Sequence, residues 1–326
     1  MRQYPIYEEY QYEGALAEVC ADYVAEKRAL GCAFNTKAKN LREFSRMSLA
    51  YELSANTLTE EVVAAWLKRR PNDADSTVYQ RFAMIKGLSE YMLRMGYKAY
   101  LPLSSDIPKL NLHGYVPYIF TYSEVLGFFA AADTMQSMSN HKRVTMPVIF
   151  RLLYCCGLRV SEVVNLTSDC VDFNNGTLTI LNSKHEKSRY VPMSEEMVET
   201  LMEYASKNPH EPHFFSSSDG TAYSESYVYK VFRQTLFSAG ISHGGRGKGP
   251  RLHDFRHTFA VHCLQKWVLD GVPLSSALPR LSAYLGHNDL AATEKYLRMT
   301  AEVYPAIAEL LSKNYGHIIP KENRCD

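Results

Sequence analysis

No CxxC pair, no run of eighteen apolar residues and almost no net charge occur in this sequence. Seven cysteines, an odd number, argue for a reducing compartment rather than a disulfide framework. The apolar stretch Val144–Leu158 is interrupted by Arg151 and closes with Gly157 and Leu158, so a membrane span is not expected. The start, MRQYPIYEEYQYEG, has acids and tyrosines where a signal peptide needs a basic end and an apolar core. A cytoplasmic protein with no membrane partner is the expectation. With 36 Lys+Arg against 35 Asp+Glu, the net charge of +1 gives no bulk attraction to nucleic acid.

What is present is 326 residues, enough for two domains, with an ordinary 46% hydrophobic content. Charge placement says more than charge sum. Lys37, Lys39, Arg42 and Arg46 lie close together, and Arg246, Lys248, Arg251 and Arg256 form a second group. Arg81 and Lys86 add cations to a later helical stretch, while acids gather in SEEMVETLME from Ser194 to Glu203. Such segregation can give one basic face on a nearly neutral protein. Solvated helix faces that bind nothing are the alternative.

Residues 12–98 read as helical, with apolar stripes at Leu16, Val19, Cys20, Tyr23 and Val24 and at Phe82, Ile85, Leu88, Tyr91 and Met92. Thr57 with Glu60 three residues on predicts a capping box for a helix over Leu58–Leu67. Pro102, Pro108, Gly114 and Pro117 then break the period. The expected division is a helical domain over 1–112, a linker over 113–118 and a second domain over 119–326. In that second domain the pattern predicts helices at Ser123–Ala132, Val144–Cys156, Ser226–Ala239, Asp254–Leu269, Leu290–Met299 and Ala301–Leu311. Short strands are predicted at Val171–Phe173, Thr177–Leu181 and Arg189–Val191, with Asn175-Gly176 as a hairpin turn. The fold class is mainly α with a small antiparallel β-sheet.

Five boxes carry chemistry: GLRVSEVVNL, NSKHEKSRYVPM, LHDFRHTFA, LGHND and EKYLRM. They supply Arg159, Lys184, His253 with Arg256, His287 and Tyr296. A phosphodiester gains negative charge on its non-bridging oxygens in the transition state, and guanidinium forks match those oxygens. Two arginines aimed there would act by preorganised electrostatics. A free phenol has a pKa near ~10, so a tyrosine nucleophile needs a base or nearby cations. The alternative for Arg159 is an ion pair with Glu162, and HDFRH can be misread as a zinc HExxH, although it has no evident third ligand. GGRGKGP lacks the Ser or Thr that a Walker A needs after its lysine, and is better read as a basic loop.

At these boxes the chain resembles the tyrosine recombinase (phage integrase) family, clearly from Thr121 to about Leu311. The resemblance implies a two-domain DNA clamp: a helical core-binding domain and a catalytic domain. It implies Tyr296 as nucleophile forming a 3′-phosphotyrosine, Arg159 and Arg256 as phosphate clamps, and His253 and His287 beside the phosphate. Lys184 would be the general acid for the leaving 5′-oxygen, with Lys187 the alternative. No metal and no cofactor are implied. The partners would be a double-stranded recombination site and further copies of the chain, in a tetrameric synapse exchanging the helix at Ala301–Leu311. Integration, excision or transposition of a mobile element is the expected role. The segment KWVLDGVPLSSALPRLSAY before His287 is longer than in compact relatives, and the short N-terminus suggests no separate arm-site domain. A type IB topoisomerase and a DNA-binding protein that has lost catalysis are the competing classes.

Overall fold

The computed structural model describes residues 7–32, 34–107, 116–135, 139–183, 187–208, 212–217, 219–245 and 249–286, together with Thr293 and Tyr296. The chain divides into two compact units, Met1–Tyr115 and Val116–Asp326.

The first unit is built from α1 (Ala17–Ala29), α2 (Asn35–Ser48), α3 (Glu60–Leu67) and α4 (Asp75–Arg94). Apolar residues recur three and four apart, so each helix turns one stripe inward. Leu16, Val19, Tyr23, Leu41, Phe44, Val62, Trp66, Ile85 and Leu88 meet in one core. The expected capping box does not form. Helix α3 starts at Glu60 with Thr59 as its N-cap, because Leu58 is drawn into extended pairing: its N–H donates to Lys98 O and its carbonyl accepts from Tyr100 N, both at 2.9 Å.

The four cations of the first group lie on α2, where Lys37, Lys39 and Arg46 are exposed. Arg42 lies over the Tyr10 ring, 4.8 Å from its centroid, and Arg46 pairs with Glu13 at 2.7 Å. Lys86 is half-buried, 4.0 Å from Glu90. Arg81 requires a correction. It is buried in α4, donates through Nη1 to Trp66 O at 3.2 Å and Lys68 O at 3.3 Å, and pairs through Nη2 with Asp73. Its charge is taken up inside the first unit, tying the end of α3 to the start of α4.

The second unit begins with α5 (Tyr122–Asp133), α6 (Asn140–Cys155) and the short α7 (Val160–Val164). A three-stranded antiparallel sheet follows, β1 (Val171–Asp172), β2 (Thr177–Ser183) and β3 (Lys187–Pro192), in that spatial order. Gly176 supplies the positive φ of 59° in the first turn, and Asp172 Oδ1 accepts from the N–H groups of Asn174 and Asn175 at 3.0 Å. Then come α8 (Glu195–Lys207), α9 (Glu225–Ser238), α10 (Asp254–Leu269) and α11 (Leu274–Leu285).

Helices α8 and α11 were not expected from the pattern. Ser194 caps α8 by accepting from Met197 N, and Met197, Leu201 and Tyr204 face inward. Proline-rich α11 forms because Pro273 sits at the N-cap, where no N–H is needed, and Pro279 removes only one internal bond. Buried Ala277, Leu281 and Leu285 hold it in place. Helix α10 is largely buried. Phe255 packs its ring against Phe128, Phe120 and Phe232, with centroids 4.9, 5.0 and 5.4 Å away. No helix among the described residues is long and apolar enough to cross a membrane.

Candidate active site

Helix α6 ends against Gly157, whose φ of 56° turns the chain sharply. A Cβ there would lie 2.5 Å from the Phe259 ring, so only glycine fits this corner. The turn delivers Arg159 as the N-cap of α7, with Glu162 three residues on. Glu162 Oε2 accepts from the Arg159 backbone N–H at 2.9 Å, and its Oε1 accepts from Arg159 Nη1 at 2.7 Å. The ion pair weighed as an alternative for Arg159 is therefore real. It still leaves the arginine side chain 25% exposed.

Arg256, on the first turn of α10, reaches back to the same corner. Its Nη1 donates to Gly157 O at 2.8 Å and lies 4.0 Å from Glu162 Oε2, while its Nη2 donates to Leu285 O at the end of α11. The carbonyl end of a helix is a favourable place for a cation. Burial, then the neighbouring charge of Arg159, lowers the Arg256 guanidinium to about 10, so it stays charged at neutral pH.

Tyr296 enters the same cluster. It is 1% exposed, with its ring among Ala260, Val261, Leu264, Ala277, Leu281 and Leu285. Its hydroxyl lies 3.1 Å from His257 Nδ1. Burial raises the phenol pKa, while Arg256 and Arg159 pull it back. The phenol and both expected clamps thus share one electrostatic environment. His253 is the N-cap of α10, and its ring stands 4.8 Å from that of His257, at right angles.

Tyr284, the nearby alternative, is engaged elsewhere: it stacks on Phe259 and donates to Pro192 O at 3.3 Å. Arg251 is exposed before α10, its N–H donating to Asp254 Oδ2 at 2.8 Å, and with Val160, Tyr229, His243 and His253 it lines a cleft of about 460 Å³. Lys184, His287, Arg246, Lys248 and the expected helix at 301–311 lie outside the described residues.

Two residues had no assigned role in the sequence. His257 was within a recognised box, and its signal was its position four residues after His253, on the same helix face. Arg189, in SRYVPM, gave no signal beyond being a cation in a strand. In the structure its fork donates twice to Glu162, both at 2.9 Å, and its Nε donates to Tyr284 O at 2.9 Å. Burial works against ionisation of Glu162, but the Arg189 fork and the Arg159 contacts outweigh it and hold the carboxyl at about 2.

The family model described as "Phage integrase family" matches residues 120–302. Among curated proteins, an integrase/recombinase, y4rB, of Sinorhizobium fredii is 27% identical over 307 residues, covering 90% of this chain and 96% of that one. Tyrosine recombinase XerD of Pseudomonas putida is 31% identical over 217 residues, covering 65% and 67%. Among solved structures, the XerH site-specific recombinase in a post-cleavage complex with palindromic difH substrate has a TM-score of 0.66 at 20% identity, covering 93% of this chain and 91% of that one. The Tn1549 transposon integrase with a circular intermediate DNA has a TM-score of 0.62 at 16% identity, covering 89% and 99%. At those identities the structures speak for the fold. With the profile matching more than half of its length, the chain belongs to the phage integrase family, the tyrosine recombinases, and is an enzyme of the site-specific recombinase class.

Proposed function

We propose that the protein breaks and rejoins double-stranded DNA at a specific site through a 3′-phosphotyrosyl intermediate on Tyr296. The carrying observation is that the buried Tyr296 hydroxyl lies beside His257 and feels the charges of Arg256 and Arg159. In this reading the phenolic O–H breaks as its proton passes to His257 Nδ1, in the tautomer that leaves that nitrogen bare. The phenol oxygen bonds to phosphorus and the bond to the 5′-oxygen breaks. Lys184 protonates that oxygen, and Arg159 and Arg256 hold the non-bridging oxygens. The phosphotyrosyl ester conserves the bond energy for religation, so neither ATP nor a metal is needed.

Lys37, Lys39, Arg42, Arg46, Lys86, Arg246, Lys248 and Arg251 are proposed to contact the DNA backbone, within a two-domain clamp of a core-binding domain (1–112) and a catalytic domain (119–326). Four copies would form the synapse, exchanging the helix at 301–311. The names of two relatives, an integrase/recombinase and a transposon integrase, support a role in moving a mobile element.

The test uses a duplex selected for binding from a random-sequence pool, carrying nicks at successive positions to trap cleavage. The wild type should form a covalent adduct, and Tyr296→Phe should bind equally without forming one. An adduct that persists in Tyr296→Phe would move the nucleophile elsewhere. Relaxation of supercoiled plasmid lacking the selected site would favour the topoisomerase reading.

A further inference from the structure

Among the described residues, one buried carboxylate stands between three guanidiniums. Glu162 Oε1 accepts from Arg159 Nη1 at 2.7 Å and from Arg189 Nη1 at 2.9 Å, and Oε2 accepts from Arg189 Nη2 at 2.9 Å and lies 4.0 Å from Arg256 Nη1. The Glu162 and Arg189 side chains are only 5% and 10% exposed. Arg189 turns both Nη atoms of its fork to Glu162, and its Nε donates to Tyr284 O. A Cβ on Gly286, which closes α11 with a φ of 66°, would lie 3.1 Å from Arg189 Cδ. Arg189 is therefore held on β3 by α7 and the end of α11 at once, with three of its five N–H donors engaged there.

We infer that Arg189 is a positioning residue for DNA cleavage: it takes up the charge of Glu162 so that Arg159 and Arg256 keep their positive potential for the scissile phosphate. The inference rests on the reading of the site above. Three arginines and one carboxylate leave a net charge of +2 at this corner. Without Arg189 the same carboxylate would bear on the two clamps alone and leave +1. The phosphate brings one negative charge and its transition state more, so the loss falls mainly on the transition state. A lysine could supply the charge but not the two parallel bonds that fix the carboxylate in its plane.

The test compares single-turnover cleavage of the selected nicked duplex with the same duplex carrying a neutral methylphosphonate at the scissile position. On the phosphate, Arg189→Met should cleave about 10- to 100-fold slower than the wild type, and on the methylphosphonate that deficit should shrink toward parity. The pair Glu162→Gln with Arg189→Met returns the corner to +2. It should cleave faster than Arg189→Met alone, with a phosphate-to-methylphosphonate rate ratio equal to that of the wild type. A purely structural role predicts equal deficits on both linkages and a double variant no faster than the single one; either result, or wild-type cleavage by Arg189→Met, overturns the inference. Should Arg189→Met not fold, the double variant decides alone, since a ratio different from that of the wild type overturns the inference. Loss of the adduct in Tyr296→Phe is the control. If that control fails, the reading of the site fails; if it holds and the ratios do not follow charge, only the role of Arg189 does.

Discussion

Replacing Glu162 with Gln removes the charge that Arg159, Arg189 and Arg256 surround and keeps the side chain's shape. The carboxyl is held at about 2 against an ordinary 4.5. At roughly 1.36 kcal/mol for each pH unit, that difference contributes about 3 kcal/mol to folding at neutral pH. Because the folded value is the lower one, the contribution is fully present above pH 4.5. It declines as pH falls and is gone below about 2. Glu162→Gln imitates the protonated acid, so it should be about 3 kcal/mol less stable than its parent at pH 7. The gap should then narrow by about 1.4 kcal/mol per pH unit below pH 4.5.

Urea unfolding read by tryptophan fluorescence measures this if Trp66 is first replaced by Phe. Trp267 in α10 is then the only tryptophan and reports on the second unit. A stability gap that stays constant from neutral pH to pH 3, or a Gln variant as stable as its parent at pH 7, would refute the charge argument.

Arg81→Met should lower the unfolding midpoint of the first unit by stranding Asp73, yet leave the salt dependence of DNA binding unchanged. Lys37→Ala should instead reduce the slope of log K against log salt by about one. Gly157→Ala forces a Cβ into the Phe259 ring at a positive φ, with an expected cost of about 1–3 kcal/mol in urea unfolding. It should also slow cleavage, because Gly157 O anchors Arg256. His257→Leu removes the ring nitrogen beside the Tyr296 hydroxyl and should slow adduct formation by about 10²–10⁴ with DNA binding intact. Wild-type adduct rates in that variant would return the proton to another acceptor, His253 first.

Much of this protein was legible in its residues. Helical periods gave α10 within its boundaries, and Asn175-Gly176 gave the hairpin. These are local signals: a period and a turn residue. Helix α11 was missed because two prolines outweighed its apolar spacing in the pattern. Only packing against α10 shows that the missing bond costs less than the burial gains. Arg81 was misread for a related reason. A cation's destination depends on which carbonyls and carboxylates the fold brings to it, and Trp66 O, Lys68 O and Asp73 lie eight to fifteen residues away.

The same holds at the site. Its residue types, and the chemistry they can perform, are written in the order of amino acids. Tertiary structure alone decided that His257 faces the phenol, that Glu162 is shared among three arginines, and that the Tyr296 hydroxyl lies buried. Hydrogen bonds and charges act over a few ångströms, and positions 157, 162, 189, 256, 285 and 296 become neighbours only once the chain has folded.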